Sequence, residues 1–160
     1  MREKKSPLQN TTRREFCAKA CYASLAATGI VVSACGGSPT SPSGGSAPTL
    51  PTVAGSVAGR TVAITVNSAS PLATVGNAAM VQTSLGTFLV ARVAQDTFTA
   101  LTAVCTHEAQ TVTGFANGHY VCNVHGSQFS TNGAVLAGPA NASLRQYAAS
   151  FATDVVSFTV

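Results

Sequence analysis

Cys105-Thr106-His107 and Cys122-Asn123-Val124-His125-Gly126-Ser127 form two short arms, with fourteen residues between His107 and Cys122. Each arm offers one thiol and one imidazole, which bind soft and borderline metals as thiolate and neutral ring. One sulfur and one nitrogen from each arm suit two adjacent metal ions better than a single ion, because each arm can then serve both. On an extended segment Cys105 and His107 are expected to project to the same side, as alternate residues of a strand do. The second arm has one more residue in the gap and requires a tighter turn, where Gly126 lets the backbone approach without a Cβ. Two simpler alternatives are a structural zinc module of two cysteines and two histidines and, for an exported chain, a Cys105–Cys122 disulfide.

The stretch from Val104 to Leu144 resembles the cluster-binding half of Rieske iron–sulfur proteins. It matches C-T-H at Cys105, C-x-x-H-G-S-x-F/Y from Cys122 to Phe129, and G-x-V-x-x-G-P-A from Gly133 to Ala140. The resemblance implies a Rieske-type 2Fe-2S cluster, with one iron taking Cys105 and Cys122 and the other His107 and His125. It further implies that a loop at Pro139 covers a third side of the cluster and that Ser127 donates a hydrogen bond to a bridging sulfide. Two departures matter. Quinol-oxidising members carry an extra, disulfide-linked cysteine in each arm, where this chain has Gln110 and Val124. It is similar here to Rieske ferredoxins and to the small subunits of arsenite-oxidase-like enzymes. Phe129 stands where high-potential members place a tyrosine that donates to a cysteine sulfur.

These departures set an expected redox direction. Two ferric irons against two sulfides and two thiolates leave the oxidised centre formally neutral, so it accepts an electron more readily than an all-cysteine cluster. Rieske centres span roughly −150 to +300 mV against about −400 mV for plant-type ferredoxins. Hydrogen bonds to sulfur raise the potential, so loss of the tyrosine donor with retention of Ser127 points to an intermediate value.

The elements that deliver and position these arms begin with an export signal over residues 1–35. A basic start precedes an apolar run from Tyr22 to Ala34 and small residues before Cys35. Thr12-Arg13-Arg14-Glu15-Phe16 resembles the twin-arginine motif, with Arg13 and Arg14 as its pair, a route that carries folded, cofactor-loaded proteins. Val32-Ser33-Ala34-Cys35 resembles a lipobox, which implies a lipid on Cys35 and a membrane-anchored lipoprotein facing the periplasm or cell exterior. The run has thirteen residues, short of the ~20 that span a bilayer. Cleavage without lipidation, giving a soluble periplasmic domain, is the alternative.

The whole-chain charge of +4 is carried by this segment, where Arg2, Lys4, Lys5, Arg13, Arg14 and Lys19 outweigh Glu3 and Glu15. The remainder balances Arg60, Arg92 and Arg145 against Asp96, Glu108 and Asp154. The basic character therefore argues for no nucleic-acid partner. From 36 to 51 the chain is Gly, Ser, Pro and Thr with little to bury, and reads as a flexible linker of about 20–24 Å typical span.

Residues 52–160 read as one all-β domain of short antiparallel sheets with a two-loop, cluster-binding part at about 104–144. Val62, Ile64 and Val66 alternate on one face, and 87–93, 97–104, 119–121 and 155–160 supply further strand material. Asn117-Gly118 and Asn132-Gly133 are hairpin signals. His119 is expected on a strand outside the ligand set, Glu108 in solvent, and Phe115, Tyr120 and Phe129 in the core or shielding the cluster.

The expected function is one-electron transfer between a redox donor and acceptor, a cytochrome or an oxidoreductase subunit, with no substrate site on this chain. Competing readings are an iron–sulfur subunit of a quinol–cytochrome reductase or an arsenite-oxidase-like complex, and the zinc module. An oxygenase would need a further mononuclear site of two histidines and a carboxylate, and only His119 remains to supply it.

Overall fold

The computed structural model describes residues 46–160. The signal segment, Arg13, Arg14, Cys35 and most of the linker lie outside the described residues. Among the described residues no helix is long and apolar enough to cross a membrane. They form thirteen strands and a single 3-10 turn at Pro71–Ala73.

A five-stranded sheet runs in the order β1 (Thr52–Ala54), β4 (Ala78–Thr83), β5 (Gly86–Ala94), β6 (Thr97–Thr102) and β11 (Gln146–Tyr147). A second sheet orders β12 (Ala149–Ala152), β13 (Val155–Thr159), β3 (Thr61–Thr65) and β2 (Ser56–Ala58). A third orders β10 (Val135–Ala137), β9 (Gln128–Ser130), β8 (His119–Val121) and β7 (Gly114–Ala116).

The five-stranded sheet is apolar on both faces, which is why β5 buries the unbroken run from Phe88 to Arg92 instead of alternating. Phe88 and Val90 join Val62, Ile64, Val156 and Phe158 in one core. Leu89 and Ala91 face the other way and pack with Leu101, Val112, Tyr120, Phe129 and both arm cysteines. The site sheet is thus laid against one face of β5 and β6. The alternation of Val62 and Ile64 is met, since both are buried on β3.

Pairing is antiparallel apart from β1, which runs parallel to β4 with Thr52 opposite Met80. The linker boundary explains that exception. Ala47 and Leu50 are buried, Leu50 N–H donates to the Thr113 carbonyl at 2.8 Å, and Phe115 N–H to the Pro48 carbonyl at 2.9 Å. Residues 47–51, read from composition as tether, are therefore packed against β7. That anchorage sets the direction in which β1 reaches β4.

Two turns aim the site. Asn117 and Gly118 both have positive φ, 53° and 76°, the pattern of a type I′ hairpin that matches strand twist, and they join β7 to β8. In the β9–β10 turn Gly133 has φ +88°. A Cβ there would meet the Leu144 carbonyl oxygen at 2.9 Å, while Leu144 N–H donates to the Gly133 carbonyl at 2.9 Å. Gly133→Ala should therefore cost about 1–2 kcal/mol from the left-handed backbone alone, plus the displacement of Leu144. Urea unfolding of the full chain will show this as a lower midpoint.

Candidate metal centre

Both arms are loops closed by antiparallel pairing. The first leaves β6 and is closed by a bridge between Val104 and Thr111; the second is the β8–β9 connection. The same backbone device shapes each. Cys105 N–H donates to the Gln110 carbonyl at 2.7 Å and Cys122 N–H to the Ser127 carbonyl at 2.8 Å. The Cys105 carbonyl accepts from Ala109 N–H at 2.9 Å and the Cys122 carbonyl from Gly126 N–H at 2.8 Å. The fifth residue of each arm has positive φ, Ala109 at 55° and Gly126 at 79°. The first arm is consequently not the extended segment expected from its i, i+2 spacing. It is a turn like the second, and the turn brings a histidine two residues on to the place reached by one three residues on.

Cys105 and Cys122 are buried, at 2% and 1% exposure, and both are free thiols in one apolar core. Burial, then the neighbouring Cys105 side chain, pushes the Cys122 thiol up from its ordinary value. Loading a metal must displace protons from sulfur, so occupancy is favoured as pH rises. The histidines lie at the surface. Their Nδ1 atoms face each other at 3.3 Å with the rings at 89°.

A third loop ties the arms together. Thr106 Oγ1 donates to the Ala142 carbonyl at 2.6 Å, and Ala140 N–H donates to Ser127 Oγ at 2.9 Å. Ser127 is fully buried. Pro139, in a cis peptide with Gly138, lies on this loop and is exposed. Phe129 and Tyr120 are cross-strand partners, both at 0% exposure, and belong to the same core as the cysteines. His119 lies on β8.

The sequence profile of the Rieske [2Fe-2S] domain matches residues 63–148, more than half of the chain. The chain belongs to the Rieske [2Fe-2S] domain family. Among solved structures it is similar to a plasma membrane Rieske protein of the cyanobacterium Synechocystis, with 30% identity over 51% of this chain and 84% of that one, at a TM-score of 0.47. It is also similar to the ferredoxin of carbazole 1,9a-dioxygenase from Nocardioides aromaticivorans, with 18% identity over 61% of this chain and 96% of that one, TM-score 0.47. No curated protein matches it. As a Rieske protein the chain is an iron–sulfur electron carrier, and its cofactor is a Rieske-type 2Fe-2S cluster.

The donor set fits that group. Metal–imidazole bonds of about 2.0–2.1 Å place two nitrogens of a tetrahedral ion about 3.3–3.4 Å apart, which is the Nδ1 spacing observed. The same spacing is long for a nitrogen–nitrogen hydrogen bond. Both cysteines lie in the apolar core, and the oxygen of Ser127 accepts from Ala140, leaving its O–H proton to donate elsewhere. A buried donor with no protein acceptor is costly unless a cofactor supplies one.

Spacing and residue type did not reveal three contacts. Asn123, one residue after Cys122, clamps the entering chain by accepting from Ala47 N–H at 2.9 Å and donating to the Ala47 carbonyl at 3.1 Å. The Thr106–Ala142 bond is the second. The third is Glu108, which is exposed as expected but lies within 3.9 Å of His107 Nε2 and 3.7 Å of His125 Nε2. An Asn directly after a loop cysteine is the one sequence signal that could have flagged a clamp, since Asn side chains readily bond nearby backbone.

Proposed function

We propose that this Rieske protein is a one-electron carrier tethered through a lipid on Cys35 to the outer face of a bacterial cytoplasmic membrane. In this reading Cys105 and Cys122 hold the inner iron, and His107 and His125 hold the outer one. The observation that carries it is the division of the four side chains by depth, with buried sulfurs and surface imidazoles whose Nδ1 atoms stand 3.3 Å apart. When bound, the cluster supplies a single electron-accepting centre.

The chain's own residues do the rest. The cysteines lie in an apolar core that excludes water, Ser127 holds the proline loop against the second arm, and the histidine edge provides the shortest way out. Val104 and Val124, 50% and 55% exposed, directly precede Cys105 and His125. They give a docking redox partner, a cytochrome or an oxidoreductase subunit, apolar contact next to the exit. Arg13-Arg14 and the Val32–Cys35 lipobox support cytoplasmic loading followed by twin-arginine export.

The test is direct. The purified full chain should show Rieske visible and EPR spectra with two irons and two sulfides per chain; stoichiometric zinc without sulfide would defeat the reading. Labelling with a palmitate analogue should mark the chain and be lost in Cys35→Ser.

A further inference from the structure

The carboxylate of Glu108 spans both histidines of the candidate centre, with Oε1 3.9 Å from His107 Nε2 and Oε2 3.7 Å from His125 Nε2. These are the outward nitrogens, on the far side of each ring from the facing Nδ1 pair. Both distances exceed direct hydrogen-bond length, so the contact is one of charge, or runs through a bridging water.

Among the described residues Glu108 makes no ion pair with an arginine. Arg92 is turned inward, with Nη1 donating to the Ala73 carbonyl at 2.6 Å and Nε to the Gln95 carbonyl at 2.9 Å. Arg60 donates to the Val160 carbonyl, and Arg145 lies over the Tyr147 ring. The other two acids, Asp96 and Asp154, sit in the β5–β6 and β12–β13 turns. Among the described residues, then, one carboxylate without an arginine partner stands at the histidine edge.

We infer that Glu108 is a positioning residue that lowers the reduction potential of the centre, by opposing the extra negative charge at the histidine edge. The inference rests on the ligand assignment proposed above. A unit charge close to a partly exposed site retains much of its Coulomb effect because one side of the contact is protein rather than water. Charged and polar groups just outside metal-bound histidines are a general lever on metal potential. Here that lever is supplied by the residue next to His107 itself and reaches the histidine of the other arm.

The experiment measures midpoint potentials of the loaded full chain as wild type, Glu108→Gln, Glu108→Lys and Asp154→Asn. Iron and sulfide content and the EPR spectrum are recorded for each. Glu108→Gln, which keeps the shape and removes the charge, should shift the equilibrium about fivefold toward the reduced form, ~40 mV upward at about 59 mV per decade. Glu108→Lys should shift it further in the same direction, and Asp154→Asn should leave it within about 1.5-fold of wild type. With the cluster intact, an unmoved midpoint in Glu108→Gln, or an equal shift in Asp154→Asn, would overturn the inference and leave the proposed function standing. A wild-type protein that holds no iron and sulfide overturns both.

Discussion

Cys122→Ser yields a chain that purifies without iron or sulfide, colourless and EPR-silent, while its β-sheet circular dichroism is retained. The loss is expected to be complete, because a serine hydroxyl is a poor substitute for a thiolate toward iron and the remaining donors cannot close a two-iron site. Folding survives because the backbone bonds that shape the arm, from Cys122 N–H to the Ser127 carbonyl and from Gly126 N–H to the Cys122 carbonyl, do not involve the side chain. The cost to the cluster-free fold is that of a buried hydroxyl in the core that holds Leu101, Val112 and Tyr120, about 1–3 kcal/mol if no acceptor is found. Cys105→Ser should behave alike. Iron retained above a tenth of the wild-type level in both variants would remove these cysteines from the ligand set.

Ser127→Ala is expected to lower both stability and reduction potential, with the cluster still present. The hydroxyl oxygen is the acceptor for Ala140 N–H at 2.9 Å in a fully buried setting. Its removal leaves that N–H unpaired, at about 1–3 kcal/mol, and frees the proline loop from the second arm. The O–H proton is lost as well. A hydrogen bond to reduced-cluster sulfur contributing about 1–1.5 kcal/mol corresponds to roughly a tenfold change in the reduction equilibrium, near 59 mV for one electron. Voltammetry and denaturant unfolding on the same preparation separate the two effects. A lower unfolding midpoint with an unchanged potential would leave Ser127 as a loop anchor alone.

Much of the site could be read from the chain because its signals are local. A C-x-H and a C-x-x-H arm, a glycine after His125 and a Gly-Pro loop are short-range patterns of donor type. Asn117-Gly118 likewise chooses its hairpin type through its own backbone preferences. The first arm defeated the spacing argument. Cys105–Gln110 closes as a turn because its N–H and C=O bond within the loop, and strand periodicity does not apply there. The tether boundary was misplaced because composition counts residue types, whereas Ala47 and Leu50 find a buried position only once β7 and Asn123 are in place.

What the amino-acid order determined alone was the thiol and imidazole that each arm offers, the β character and the neutrality of residues 36–160, since each follows from residue identity and near-neighbour spacing. Tertiary structure decided the rest. It buried the cysteines and left the histidines at the surface, bonded Ser127 to Ala140 across thirteen residues, and set Glu108 against histidines from two different arms. Those contacts join segments far apart in the chain, and their formation depends on three sheets packing around β5 and β6, which no local pattern encodes.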